Sequence, residues 1–222
     1  MKKLLYCIFV LFLTIGFGVF GWINRQSYTN ITDQPGYLNQ FAVAESSEQR
    51  CIDSCQEMKK TLPNAPVIAR VTPISDIEPQ FGIYLIPLQV IEVYAGDVIS
   101  VGEEIWVGRQ HKGLIVEREG GRYAEFGFVN IPQQGREYLV FLSNRVIADG
   151  DRTICFLQES DTATPVPMFC YDDIPNVIVT PDGVSTYVPY SEVSSNEFFV
   201  TTQVGLDAML ELKESLLKSY PR

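Results

Sequence analysis

The sequence predicts a mainly β protein, a small barrel or sandwich with helices packed at its ends, behind a single N-terminal transmembrane helix. Three observations carry this. Many short apolar runs alternate with regular turn signals, two amphipathic helical stretches bracket them, and the first 25 residues hold a long uncharged run. No internal repeat is visible.

Residues 1–24 form the expected anchor. Met1-Lys2-Lys3 precedes an apolar run from Leu4 to Ile23, and no charge occurs between Lys3 and Arg25. At about 1.5 Å per residue, that run reaches across a hydrocarbon core of roughly 30 Å, so the lipid bilayer is its expected partner. The Lys2-Lys3 pair belongs on the cytoplasmic side by the positive-inside bias. The protein is therefore expected in the cell membrane as a single-pass chain, with its bulk outside the cytoplasm. The alternative is secretion after signal cleavage. Trp22-Ile23-Asn24-Arg25 offers no small-residue cleavage site, and the one good match, Ala42-Val43-Ala44, lies far downstream.

Charge narrows the partners. Removing Lys2 and Lys3 from the 17 basic residues leaves 15 against 27 acidic ones, a net of −12 outside the anchor. A phosphate backbone needs a clustered basic face, so nucleic acid is not an expected partner. Anionic lipid headgroups are disfavoured for the same reason.

The elements follow in order. Residues 25–45 lack periodicity, contain Pro35-Gly36, and read as a stalk. A helix follows over Ser46 to Leu62 and ends at Pro63-Asn64-Ala65-Pro66, so residues 46–65 form a helical segment. The β-barrel domain is expected over 66–200. Val67 to Thr72 is its first strand. Ile83 to Tyr94 is a long second strand, whose apolar phase slips near Val90-Ile91 as a bulge would produce; Pro87 must sit at an edge or a bend. Glu104 to Val107 is the third. Leu114 to Glu117 and Tyr123 to Phe128 flank Gly120-Gly121, a hairpin signal. Glu137 to Leu142 and Thr153 to Leu157 follow, with Asp149-Gly150 as the turn between them. A last hairpin is expected around Pro181-Asp182-Gly183, between Val177-Ile178-Val179 and Val184 to Val188. Residues 201–222 hold a C-terminal amphipathic helix, with Leu206, Met209, Leu210, Leu216 and Leu217 on its apolar side.

Cys7 lies in the anchor; Cys51, Cys55, Cys155 and Cys170 lie outside it. An external location permits disulfides. Cys155 and Cys170 sit in two strand-like runs separated by a Thr/Pro-rich turn, which makes a cross-strand pair possible. Cys51 and Cys55, the second candidate pair, share a helix face, although a regular helix does not readily supply disulfide geometry.

The runs Val67-Ile68-Ala69-Arg70-Val71, Leu88 to Asp97 with its Tyr94-Ala95-Gly96-Asp97 end, Gly102 to Val107 and Gly135 to Leu142 together resemble the netrin-like, or tissue-inhibitor-of-metalloproteinase-like, domain of bacterial extracytoplasmic proteins. The resemblance covers roughly residues 66–190 and implies an OB-like barrel. Animal inhibitors of that family use an exposed N-terminal cysteine against a catalytic zinc. Here Cys51 is internal, and the family's Cys-x-Cys start is absent, so no inhibitory residue carries over.

Enzyme chemistry finds little support. His111, the sole histidine, stands in a polar turn, Gly108 to Gly113, and one histidine builds no multi-histidine metal site. There is no HExxH, no GxSxG and no Gly-rich phosphate loop, so no catalytic residue, cofactor or metal ligand is expected. The aromatic side chains Trp106, Tyr123, Phe126, Phe128, Tyr138 and Phe141 are expected chiefly in the core, with a stacking face as the alternative. The expected function is a non-enzymatic, membrane-tethered extracytoplasmic binding module for an envelope protein or glycan. The alternatives are an envelope hydrolase using His111 or a cysteine, and a protease-inhibitor-like protein.

Overall fold

The computed structural model describes residues 12–22, 36–80, 83–108, 114–118, 121–159, 165–179 and 187–222. The chain divides into two compact units, Met1–Tyr37 and Leu38–Arg222.

In the first unit, residues 12–22 form helix α1. Its side chains are exposed all round and, Thr14 apart, apolar, with Phe12 at 72% and Phe17 at 74%. Among the described residues no helix is long and apolar enough to cross a membrane. Helix α1 covers the second half of the run from Leu4 to Ile23, and residues 4–11 lie outside the described residues.

The second unit is mainly β. Its strands are β1 (Ala42–Ala44), β2 (Val67–Pro73), β3 (Glu78–Gln80), β4 (Ile83–Ala95), β5 (Glu104–Gly108), β6 (Leu114–Arg118), β7 (Gly121–Glu125), β8 (Tyr138–Asp149), β9 (Arg152–Leu157), β10 (Met168–Cys170) and β11 (Tyr187–Pro189). Its helices are α2 (Glu48–Thr61), α3 (Tyr190–Val193) and α4 (Gln203–Ser219). Strands β2, β4, β5, β9 and β8 close a five-stranded barrel in that order, with β10 added beside β8 and β3 beside β4. All barrel pairs are antiparallel except β5 with β9, which run parallel. A second sheet has the order β11-β1-β7-β6.

The apolar phase slip in β4 is a register shift: Arg70 pairs with Glu92 and Val71 with Val90, which leaves Ile91 as the extra residue. Pro87 lies where β4 passes from its pairing with β3 to its pairing with β2, so its missing N–H leaves no gap in either ladder. Gly96 closes this long strand at φ +94°. A Cβ there would stand 2.6 Å from the Pro66 carbonyl oxygen, so only glycine fits.

The barrel interior is apolar, with Ala69, Val71, Leu88, Ile105, Val107 and Val140 fully buried. Ile68, Leu139 and Phe141 on the outward side of β2 and β8 are buried too, and the chain beyond α4 reaches this side. Phe141 meets the Tyr220 ring edge-on at 5.9 Å, and Tyr171 donates its hydroxyl to the Tyr220 carbonyl at 2.8 Å. Arg222 reaches Glu137 at 3.1 Å and Asp172 at 2.7 Å.

Helix α4 starts where the Thr202 hydroxyl accepts from the Gly205 N–H, an N-cap. Leu206, Met209, Leu212, Lys213 and Leu216 form its buried side. Leu210, expected on that side, is 36% exposed, and Leu212 takes its place. Helix α2 packs on α4, with the Cys55 thiol 3.3 Å from the Met209 sulfur.

Three expectations change. Strand β1 lies inside the expected stalk, at the centre of the second sheet between β11 and β7. The cleavage-like Ala42-Val43-Ala44 is therefore sheet, with Val43 fully buried. Residues 177–179 form no strand. Instead Asn196 acts as a partner strand would, accepting from the Val177 N–H at 2.8 Å and donating to its carbonyl. Residues 180–186, with the Pro181-Asp182-Gly183 turn, lie outside the described residues.

The disulfide expectation is corrected as well. Cys51, Cys55, Cys155 and Cys170 are all free and buried. Cys155 sits opposite Val146 and Cys170 opposite Tyr138, positions eight residues apart along β8, so the two strands reach β8 at separate places. Cys51 and Cys55 stay one helical turn apart in a regular helix, where Cys51 donates to the Ser46 carbonyl.

Candidate functional site

Strand alternation turns every second side chain of β4, β5, β9 and the end of β8 away from the barrel interior. The pairing register arranges these in rows. Leu85, Gly108 and Phe156 make one row, and Arg145 stands beside Phe156 across a register shift. Pro87, Trp106, Ile154 and Ile147 make the next. Gln89, Glu104, Arg152 and Asp149 make the third.

The first two rows are apolar. Leu85, Ile154 and Phe156 cluster, with Trp106 packed against them. Gly108 makes this possible: a Cβ there would stand 3.0 Å from a Leu85 methyl. Charged groups border the cluster and hold the rings. The Arg152 guanidinium lies 4.9 Å over the Trp106 ring and reaches Glu78 at 2.9 Å; the Trp106 indole N–H donates to the other Glu78 oxygen at 3.3 Å. The Arg145 guanidinium lies 4.3 Å over the Phe156 ring. Cation–π contacts of this kind contribute about 0.5–1 kcal/mol each at exposed sites. Glu78 comes from β3, in the loop between β2 and β4, so one carboxylate fixes the loop, the indole and the guanidinium together.

No family model matches this chain. No curated protein does either.

Of the aromatic residues singled out in sequence, Phe126, Phe128, Tyr138 and Phe141 are buried. Tyr123 meets Tyr187 edge-on at 4.8 Å across β1. Trp106 alone of these belongs to the outer face of β4, β5 and β9. Its companions Glu78, Arg145 and Arg152 escape a sequence reading because they come from three separate elements. One signal was present: Arg152, Ile154 and Phe156 alternate on the face opposite Cys155.

The thiols stand apart from this face. Cys155 points inward between Ile154 and Phe156, and burial pushes its thiol up to about 12. Burial likewise raises Cys55 to about 12, so both are protonated at neutral pH and shielded from solvent. His111 lies outside the described residues. Among the described residues no three His, Cys, Asp or Glu side chains gather as a metal site.

Two buried carboxylates have contrasting surroundings. Glu197 accepts from Lys213 at 2.6 Å and from the Cys170 N–H at 2.7 Å. Glu45, between β1 and α2, is 2% exposed, and neither carboxylate oxygen has a hydrogen-bond partner. Desolvation raises it to about 7.

Proposed function

We propose that this protein is a membrane-tethered extracytoplasmic binding module whose ligand, an envelope glycan, meets the outer face of β4, β5 and β9. The observation that carries the reading is the trio of Glu78, Trp106 and Arg152, an indole held by one carboxylate and one guanidinium on the outside of a closed barrel.

Topology supports it. Numbered within the barrel, the strands run first, second, third, fifth, fourth, with the third parallel to the fifth, the order of an OB fold. OB folds bind ligands on their second and third strands and on the loops after the first and fourth. Here those are β4, β5, the loop bearing Glu78 and the Gly150-Asp151 turn beside Arg152. Sugar rings offer apolar CH faces and a polar rim. An apolar strip of Trp106 and Ile147, bordered by Arg145, Arg152 and Glu78, matches both. The exposed apolar surface of α1 supports lipid contact, and the acidic balance supports a soluble external domain.

The test is glycan-array binding of the full chain in detergent, comparing wild type with Trp106→Ala. The reading expects selective glycan binding, weakened at least 10-fold by the substitution while the circular dichroism spectrum is unchanged. A folded wild type that binds no glycan, or a variant that binds as well as wild type, overturns it.

A further inference from the structure

The distal half of β8 has one partnered edge and one that no strand of the described residues covers. Strand β2 pairs with β8 over Tyr138 to Leu142, and β10 over Tyr138 to Val140. From Val146 to Asp149, β8 pairs only with β9. This end of β8 lies open to solvent: residues 144–149 are all exposed, with Val146 at 37% and Ile147 at 40%. An exposed edge normally carries features that prevent pairing, such as charges that would face like charges. The charges here do the opposite.

We propose that this edge pairs with the same edge of a second copy of the chain, in a symmetric antiparallel dimer centred on Ile147. A two-fold axis at Ile147 sets each Arg145 opposite an Asp149 of the other copy, and each Val146 opposite an Ala148. Both ends of the interface then hold an opposite-charge pair, and Ile147 meets its own counterpart. Shifting the centre by one residue to Val146 places Arg145 against Ile147; shifting it to Ala148 places Asp149 against Ile147. Only the register centred on Ile147 pairs both charges.

The backbone agrees with this register. Asp149 and Arg152 close a two-residue turn whose Gly150 has φ +65°, and such a closing pair exchanges its hydrogen bonds across the hairpin. Groups alternate along a strand, so Asp149 and Ile147 direct their N–H and C=O towards β9, while Ala148 and Val146 direct theirs outward. Val146 and Ala148 are the residues this dimer joins by backbone hydrogen bonds, and Ile147 falls in the close, non-hydrogen-bonded pair. A ribbon of this length buries less than a standard interface, on the order of 1,000 Å² or below, so the dimer is weak in free solution. Confinement to one surface raises effective concentration and favours it. The partnership is independent of the glycan reading, although it would set the two Trp106 faces side by side in one continuous sheet.

The test is disulfide trapping in the full chain. At the non-hydrogen-bonded centre, paired Cα atoms lie about 4.5 Å apart, within disulfide range. Ile147→Cys, oxidised in native membranes or detergent, should give a covalent dimer on non-reducing gels. The unsubstituted chain and Val101→Cys, whose parent residue is exposed elsewhere on the domain at 66%, should not. In the Ile147→Cys background, Arg145→Asp or Asp149→Arg alone sets like charges opposite each other and should cut the trapping rate at least 5-fold. The swap carrying both should restore it. Equal trapping by Val101→Cys, no trapping by Ile147→Cys, or charge variants that trap at the parent rate would each overturn the proposal. Glycan binding need not be measured, so its failure would leave this result standing.

Discussion

Lys213 extends from the middle of α4 to Glu197, 2.6 Å away, and both side chains are almost entirely shut off from water, at 6% and 3% exposed. The ammonium also donates to the Asp172 carbonyl at 2.8 Å, and the other Glu197 oxygen accepts from the Cys170 amide. One ion pair thus joins α4, β10 and the chain before α4.

Removing one partner should be costly, because the other charge stays buried. Lys213→Met is expected to destabilise the domain by about 3–5 kcal/mol. The double variant Lys213→Met with Glu197→Leu should recover much of that loss, since it buries no charge at all. Urea unfolding of the three proteins checks both statements. A single variant within about 0.5 kcal/mol of wild type would show that the pair is not closed to solvent.

Glu45 should give this protein an unusual pH dependence. Its carboxyl is raised from 4.5 to about 7 by desolvation, so the folded state holds the proton more tightly than the unfolded state does. The stability it contributes is full below about pH 4.5 and is lost as pH rises through about 7. Each pH unit between those two values is worth about 1.4 kcal/mol, so the loss is on the order of 3–4 kcal/mol. Glu45→Gln should be more stable than wild type at pH 8, and the difference should vanish near pH 5. Denaturation at the two pH values tests this; equal differences at both would remove the carboxyl as the cause.

The free thiols make a separate statement about chemistry. A thiol reagent should leave Cys51, Cys55, Cys155 and Cys170 untouched in the native protein and modify them after unfolding. Dithiothreitol should leave the melting temperature unchanged. A fall of several degrees on reduction would mean that a pair of them is oxidised.

Much of the barrel could be read from the chain alone, because each strand announces itself locally. The bulge at Ile91 was visible as a break in alternation, and the Asp149-Gly150 turn as a composition signal. Strand β1 was hidden for a physical reason: three residues carry no measurable period, and Ala42-Val43-Ala44 becomes a strand only when β11 and β7 supply its partners. Asn196 was hidden too, since it satisfies Val177 through its side chain. The site at Trp106 was half legible. The ring was noticed, but its two holders, Glu78 and Arg152, lie 28 and 46 residues away and meet it only when the barrel closes.

Leu13→Arg with Phe17→Arg places two charges in the proposed anchor, at about 2.5–3.5 kcal/mol each on insertion scales. The double variant should leave the membrane fraction. If it still sediments with membranes, the anchor is not what retains the chain.

The position of β1 also determines how the domain meets mechanical force. Phe41, whose carbonyl accepts from the Tyr190 N–H, leads straight into a strand laddered on both sides; Ser46 then bonds to Phe199 and Thr201. Tension arriving from that direction does not peel an edge strand away one bond at a time. It acts on the middle of a sheet, where two ladders must part together.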